Sequence, residues 1–255
     1  MKPPVVVIGI GEMGSVFARG FLRAGYPVYP VTRDVDINTI AQQIPAPHLV
    51  LVAVGESTLH SVLEQIPASW KDRIALLQNE LLPNDWEQYG FNNPTIISVW
   101  FEKKKGQDVK VLIPSPVFGP QADLLATSLS SLDIPTRILS STDDLLFELV
   151  VKNVYIVTTN CAGLVVGGTV SELWQQHQAL AEDVAHEVIE IQQALTGQSF
   201  DADALIKAMR VAFDGDPAHG CTGRSAPARL ARALQQADDA NLAVPQLREI
   251  SSKPA

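Results

Sequence analysis

Cationic side chains are scarce in this 255-residue chain: 19 Lys and Arg stand against 28 Asp and Glu, a formal net charge of -9. That balance argues against nucleic acid as the main partner, because phosphate-backbone binding rests on clustered Lys and Arg. The one basic run, Lys103-Lys104-Lys105, reads as a solvated loop. Cysteine is almost absent. Cys161 and Cys221 are the only two, and neither has a partner at CxxC spacing, so no thiolate metal or redox motif is visible. No apolar run reaches the roughly eighteen residues that a bilayer span requires, and no signal peptide precedes the first strand. The expectation is a cytoplasmic, reduced protein with no membrane partner.

What the sequence does contain is an ordinary globular composition, 46% hydrophobic and 18% charged, and a chain long enough for two domains of about 100–150 residues. The first half alternates short apolar runs with helical periodicity. Val5-Val6-Val7-Ile8 is a β-branched run of the kind buried on both faces of a sheet. A helix over Met13–Ala24 follows, then strands over Pro27–Val31, His48–Val54 and Arg73–Leu77. Thr95–Trp100 and Val109–Ile113 read as two more, paired antiparallel at the sheet edge. This alternation predicts an α/β domain over 1–140, a doubly wound and mostly parallel Rossmann sheet. After residue 140 no strand-like run appears. Helices are predicted over Thr142–Gly167, Val170–Leu195, Ala202–Phe213 and Pro227–Ala240, giving an all-helical domain over 141–255. The last of these is taken as the final well-formed helix, and Ser251–Ala255 as a frayed tail.

Val7-Ile8-Gly9-Ile10-Gly11-Glu12-Met13-Gly14 matches GxGxxG. The pattern alone is weak, but here it follows a predicted strand, opens a helix and precedes a second strand within about 30 residues. Gly9 permits the tight turn, Gly11 lets the backbone approach a pyrophosphate, and Gly14 lets the helix pack on the strand. The unpaired N–H groups of the helix start then face the phosphates. Gly9, Ile10, Gly11, Glu12, Met13 and Gly14 are therefore candidate cofactor-binding residues. The second strand ends Val31-Thr32-Arg33-Asp34. Thr32 and Arg33 suit a ribose 2′-phosphate and hence NADP(H). Asp34 would instead be the ribose acid of an NAD(H) site if the strand ran one or two residues further. Val54, at the end of the third strand, joins the cofactor set.

Leu77-Gln78-Asn79 follows the fourth strand at the carboxyl edge of the sheet, where ligands bind. Lys152 lies in the almost wholly apolar run Leu149-Val150-Val151-Lys152-Asn153-Val154-Tyr155, with Asn160 two turns on. Together with the glycine turn, this arrangement resembles the ketopantoate reductase family of the 6-phosphogluconate dehydrogenase-like proteins. The resemblance implies an NADP-dependent oxidoreductase that reduces a small 2-keto acid. It implies Lys152 as the catalytic residue, Asn79 beside nicotinamide and substrate, and Asn160 on the substrate. Glu80 replaces the family's usual Gly. Ile156, Phe213 and Ser225 stand where the family has Asn, Ser and Glu, so half of the substrate site is altered.

The retained chemistry has its own logic. Hydride added to a ketone leaves an oxyanion that needs a proton, and a Lys among apolar neighbours can supply it. In the polar segment Asp214–Ser225, read as a flexible loop, Arg224 is a candidate carboxylate ligand, with Ser225 beside it. His219 is a candidate substitute for the missing acid. Asn153 reads as a surface residue. Glu182, His186 and Glu190, flanked by Asp183 and Glu187, read as a solvated acidic face, and no metal is expected. The expected partner is a small keto acid, and a homodimer is an allowed assembly. The competing reading is a catalytically inactive NADP(H)-binding or sensing protein of the same fold.

Overall fold

The computed structural model describes residues 2–253 and divides the chain into two compact units, Met1–Leu146 and Phe147–Ala255.

The first unit is built on nine strands: β1 (Val5–Ile8), β2 (Val28–Val31), β3 (Leu49–Val52), β4 (Ile74–Leu76), β5 (Thr95–Ile97), β6 (Phe101–Glu102), β7 (Lys110–Val111), β8 (Ser115–Phe118) and β9 (Thr136–Ile138). Seven form one sheet in the order β2-β1-β3-β4-β5-β8-β9. The first five are parallel, and β8 is antiparallel to β5. The runs Val5–Ile8 and Leu49–Val52 are buried at every residue, as continuous β-branched and Leu runs require when both faces are covered. Helices α1 (Glu12–Arg23), α2 (Ile37–Gln43), α3 (Leu59–Leu63), α4 (Asn84–Glu87) and α5 (Ala122–Ser130) connect them. Phe17 and Phe21 of α1 and Leu125 and Leu129 of α5 belong to the same core as Val5, Val7, Leu49 and Leu51.

The sheet edge differs from the sequence expectation. Thr95–Ile97 does not pair with the Val109–Ile113 segment. Its antiparallel neighbour is β8, and Lys110–Val111 instead closes a separate two-stranded ribbon with Phe101–Glu102. Pro116 hid β8, because proline is depleted from inner strands. It is tolerated because the pairing uses its carbonyl, which accepts the Ser98 N–H at 2.9 Å.

The division between the units falls within α6 (Thr142–Val166), and the second unit continues with α7 (Val170–Gln176), α8 (Gln178–Thr196), α9 (Ala202–Gly215), α10 (Ala226–Asp239) and α11 (Pro245–Ser252). By length and composition α6 is apolar enough to cross a bilayer, contrary to the sequence expectation, but 72% of its most apolar stretch is buried inside the protein, as in a core helix. Helix α8 is packed by α7, α9, α10 and α11. The predicted single helix over Val170–Leu195 is broken at His177, whose backbone leaves helical geometry at φ -136. The chain also ends in one more helix than expected: Ser251 and Ser252 close α11, and residues 254–255 lie outside the described residues. Helix α11 is anchored from α8. Glu187 is buried, and its carboxylate accepts the N–H groups of Gln246 and Leu247 at 2.7 and 2.9 Å. It is therefore a tertiary cap and not part of a solvated acidic face.

Candidate cofactor site and candidate catalytic helix

In the first unit, β1 runs into Gly9, whose φ of +94° an L side chain rarely adopts. The Gly9 N–H donates to the Val31 carbonyl at 2.9 Å. A Cβ on Gly9 would lie 2.7 Å from the Ala53 carbonyl oxygen, and one on Gly14 only 1.9 Å from the Gly9 oxygen. The turn is thus closed on itself and on the exit of β3. Gly11 is the opposite case. It caps α1 with no side-chain hydrogen bond, and a Cβ there would meet nothing within 4 Å beyond its own chain neighbours. The helix begins with the Ser15 N–H on the Gly11 carbonyl at 2.9 Å, so the N–H groups before it have no partner within the helix. Open space before an uncapped helix start is a cradle that fits a pyrophosphate. Met13 packs on the core, and Ile10 is exposed.

The order β2-β1-β3 places the sheet's reversal between β1 and β3, beside this turn. At the end of β2, Thr32, Arg33 and Asp34 are exposed in a turn closed by the Val35 N–H on the Thr32 carbonyl at 3.1 Å. The strand stops at Val31, and Asp34 lies beyond it in that turn. Asp36 is occupied elsewhere. Its carboxylate accepts the Thr39 hydroxyl at 2.8 Å and the Thr39 and Asn38 N–H groups at 2.9 and 3.3 Å, capping α2. The Thr39 hydroxyl, with those backbone bonds, holds the carboxyl below the usual carboxylate range.

Beyond β4, Gln78 is buried and straps two strand ends together. Its Nε2 donates to the Val52 and Val54 carbonyls at 2.7 and 3.3 Å, and its Oε1 accepts the Leu77 N–H at 3.1 Å. Asn79 is thereby carried to the same edge as Val54, with its Nδ2 donating to Glu56 Oε1 at 3.0 Å. Glu80 takes φ +59°, the left-handed conformation that glycine favours. The first unit therefore gathers the glycine turn, Val54 and Asn79 at the carboxyl ends of β1, β3 and β4.

In the second unit, α6 carries the remaining candidates. Lys152 is half-buried with its Nζ 5.7 Å from the centre of the Tyr155 ring, within cation–π range. Phe213 meets the same Tyr155 ring at 5.5 Å and His219 at 6.4 Å, and His219 Nδ1 is 3.5 Å from the buried Asp216. Asn153 is not a surface residue. It is 2% exposed and donates to Gln192 Oε1 at 2.8 Å, because the α6 face one residue past Lys152 turns toward α8. Ile156 is buried.

Asn160 is engaged at both ends of its amide. Nδ2 donates to the Cys221 carbonyl at 3.2 Å, and Oδ1 accepts from Arg229 Nη1 at 3.0 Å. Arg229 is buried on α10, one turn after Ser225. Arg224 and Ser225 are exposed at the start of α10. The partners found at Asn160 are thus Cys221 and Arg229, and Arg229 is buried on α10 with no local sequence signal to mark it as a site residue.

The segment before them is stitched down and is not a flexible loop. The N–H groups of Val170, Ser171 and Cys221 donate to the carbonyls of His219, Pro217 and Gly168 at 2.8, 3.2 and 3.0 Å. Gly163 of α6 lets Cys221 pass close, since a Cβ there would lie 2.6 Å from Cys221 Cβ. Burial, reinforced by the charge of Glu172, pushes the Cys221 thiol up to about 11.

No protein-family model matches the chain, and no curated protein matches it. Solved structures do. The 2-dehydropantoate 2-reductase of Methylococcus capsulatus superposes with a TM-score of 0.69 at 14% identity, over 97% of this chain and 94% of that one. The probable 2-dehydropantoate 2-reductase of Bacillus subtilis gives 0.70 at 16%, over 97% of each. A D-mandelate dehydrogenase with NADH and anilino(oxo)acetate gives 0.68 at 15%, over 97% and 96%. The chain has the fold of these proteins: a Rossmann sheet followed by a helical domain.

Proposed function

We propose that the chain is a nicotinamide-dependent reductase of a small 2-keto acid, of the ketopantoate reductase type. The observation that carries this reading is the Gly9–Gly14 turn, closed behind by Gly9 and Gly14 and open in front of Gly11. In this reading residues 1–140 hold the cofactor and residues 141–255 carry the catalytic groups. The backbone of Gly9, Ile10, Gly11, Glu12, Met13 and Gly14 seats the diphosphate. Thr32 and Arg33 take a 2′-phosphate, which makes NADP(H) the preferred cofactor, and Val54 and Asn79 border the nicotinamide. The setting is the cytoplasm.

When bound, NADPH supplies a hydride to the substrate's carbonyl carbon. Lys152 donates the proton that the resulting alkoxide needs, and its charge stabilises that oxygen as it develops. Asn79 orients the carbonyl. Arg224 and Ser225 offer the substrate carboxylate polar contacts, while Arg229 positions Asn160 by holding its amide oxygen. The reading requires Lys152 and the nicotinamide to meet at one substrate.

Lys152→Ala tests it. Turnover is expected to fall by about a hundredfold or more, on the magnitude of general acid catalysis, with the NADPH dissociation constant unchanged. Unchanged turnover removes Lys152 from the mechanism.

A second reading has one observation in its favour. Both ends of the Asn160 amide are already satisfied within the protein, and Ile156 and Phe213 are buried and apolar. A protein that binds NADP(H) without reducing a keto acid, as a sensor, fits those features. Incubation with NADPH and a panel of 2-keto acids, followed by the absorbance of the reduced nicotinamide, separates the two. Tight binding without turnover on any acid selects the sensor.

A further inference from the structure

The turn that seats the diphosphate contains an acid. Glu12 is the first residue of α1, immediately after the open Gly11. Its carboxylate suits a helix N-terminus in the free protein, but beside a bound diphosphate it is a like charge. Its Oε2 lies 3.3 Å from Lys103 Nζ. That ammonium is built into place. It also donates to the carbonyls of Lys104 and Gln107 at 2.9 and 2.5 Å, both in the loop between β6 and β7. These three contacts match the three donors of an ammonium. The Lys103 side chain is 21% exposed, against 61% for the neighbouring Lys104, which pairs with Glu102 within its own ribbon. Lys103 is thus no member of a solvated run. The ribbon holds its charge against the first turn of α1, so little side-chain entropy is lost in making the pair, which is the usual weakness of surface ion pairs.

We infer that Lys103 is the residue that makes this turn receptive to a dinucleotide diphosphate, by offsetting the charge of Glu12. Lys103 is a positioning residue, and the inference rests on the proposed cofactor binding.

The test is NADPH titration of the full chain, read by nicotinamide fluorescence, for wild type, Lys103→Met, Glu12→Gln, the double variant and a Lys104→Met control. Lys103→Met is expected to weaken NADPH by about tenfold, because it leaves the Glu12 carboxylate beside the diphosphate without its counter-charge. Glu12→Gln binds at least as tightly as wild type. The double variant returns to within about threefold of wild type, because a neutral amide in place of the carboxylate no longer needs a counter-charge. Lys104→Met changes nothing. A purely structural role for Lys103 would not be rescued by removing the acid. Wild-type affinity in Lys103→Met, or no recovery in the double variant, overturns the inference while the cofactor reading stands. If Lys103→Met does not fold, Glu12→Gln alone decides: weaker binding than wild type overturns the inference. Wild type that binds neither NADPH nor NADH overturns both.

Discussion

Replacing Gly11 with alanine separates cofactor binding from folding. The backbone there has φ -80° and ψ -166°, which any L residue adopts, and the added methyl meets nothing within 4 Å beyond its own chain neighbours. Lowering the unfolded chain's entropy favours the variant by about 0.4–1 kcal/mol. Losing glycine at an N-cap, where alanine is poor, costs a similar amount, a few tenths to about 1 kcal/mol. Stability therefore changes by less than about 1 kcal/mol. Binding changes more. The methyl stands in the space before the helix start and pushes a diphosphate off at least one backbone N–H. A bond of that kind to a charged group contributes roughly 1.5–3 kcal/mol, so NADPH affinity falls about ten- to hundredfold. Gly14→Ala is the contrasting case, because its Cβ would lie 1.9 Å from the Gly9 oxygen. The turn must open, at a cost of about 1–3 kcal/mol, and folding and binding suffer together. Urea unfolding and NADPH titration of both variants check the pair. A Gly11→Ala protein that binds NADPH as wild type does, or one destabilised by more than about 2 kcal/mol, refutes the reasoning.

The remaining predictions concern the helical unit. Glu187→Ala leaves the Gln246 and Leu247 N–H groups without their carboxylate and is expected to cost about 2–4 kcal/mol in urea unfolding; a loss under about 0.5 kcal/mol, small on the same scale, would contradict the tertiary cap. Asn153→Ala strands Gln192 in the core and should cost about 1–3 kcal/mol by the same measurement. The Cys221 thiol, raised from 9 to about 11 in the fold, favours the folded state fully below pH 9, and that contribution is lost as pH rises through 11. The fall in urea midpoint between those values should be shallower in Cys221→Ala; identical profiles would contradict the raised thiol. Neither Cys161 nor Cys221, both buried, should react with a thiol reagent at about pH 8, below the ordinary thiol range, before unfolding.

Parts of this molecule were legible because they are local. The β-branched runs of β1 and β3 and the glycine spacing carry their own geometry, and the helix start after Gly11 follows from them. Features that depend on distant partners were not. The Asn160–Arg229 contact joins residues 69 apart, and nothing in the local pattern of α10 marks Arg229. Helix α11 is short and polar and draws its cap from Glu187, which periodicity alone left among exposed acids. The break at His177 has no Pro or Gly to announce it. Lys103 is indistinguishable in sequence from Lys104 and Lys105; only the fold of the ribbon selects one of the three. An NADP preference at Thr32 and Arg33 is an expectation from residue type alone; β2 ends just before them, at Val31.

Glu80 has a wider consequence. An acid here holds a left-handed backbone conformation that glycine favours, with Gln78 clamping the backbone next to it. Once a neighbouring clamp maintains the contour, the tip is free to vary in chemistry during divergence. A glycine requirement at such a tip is thus not absolute.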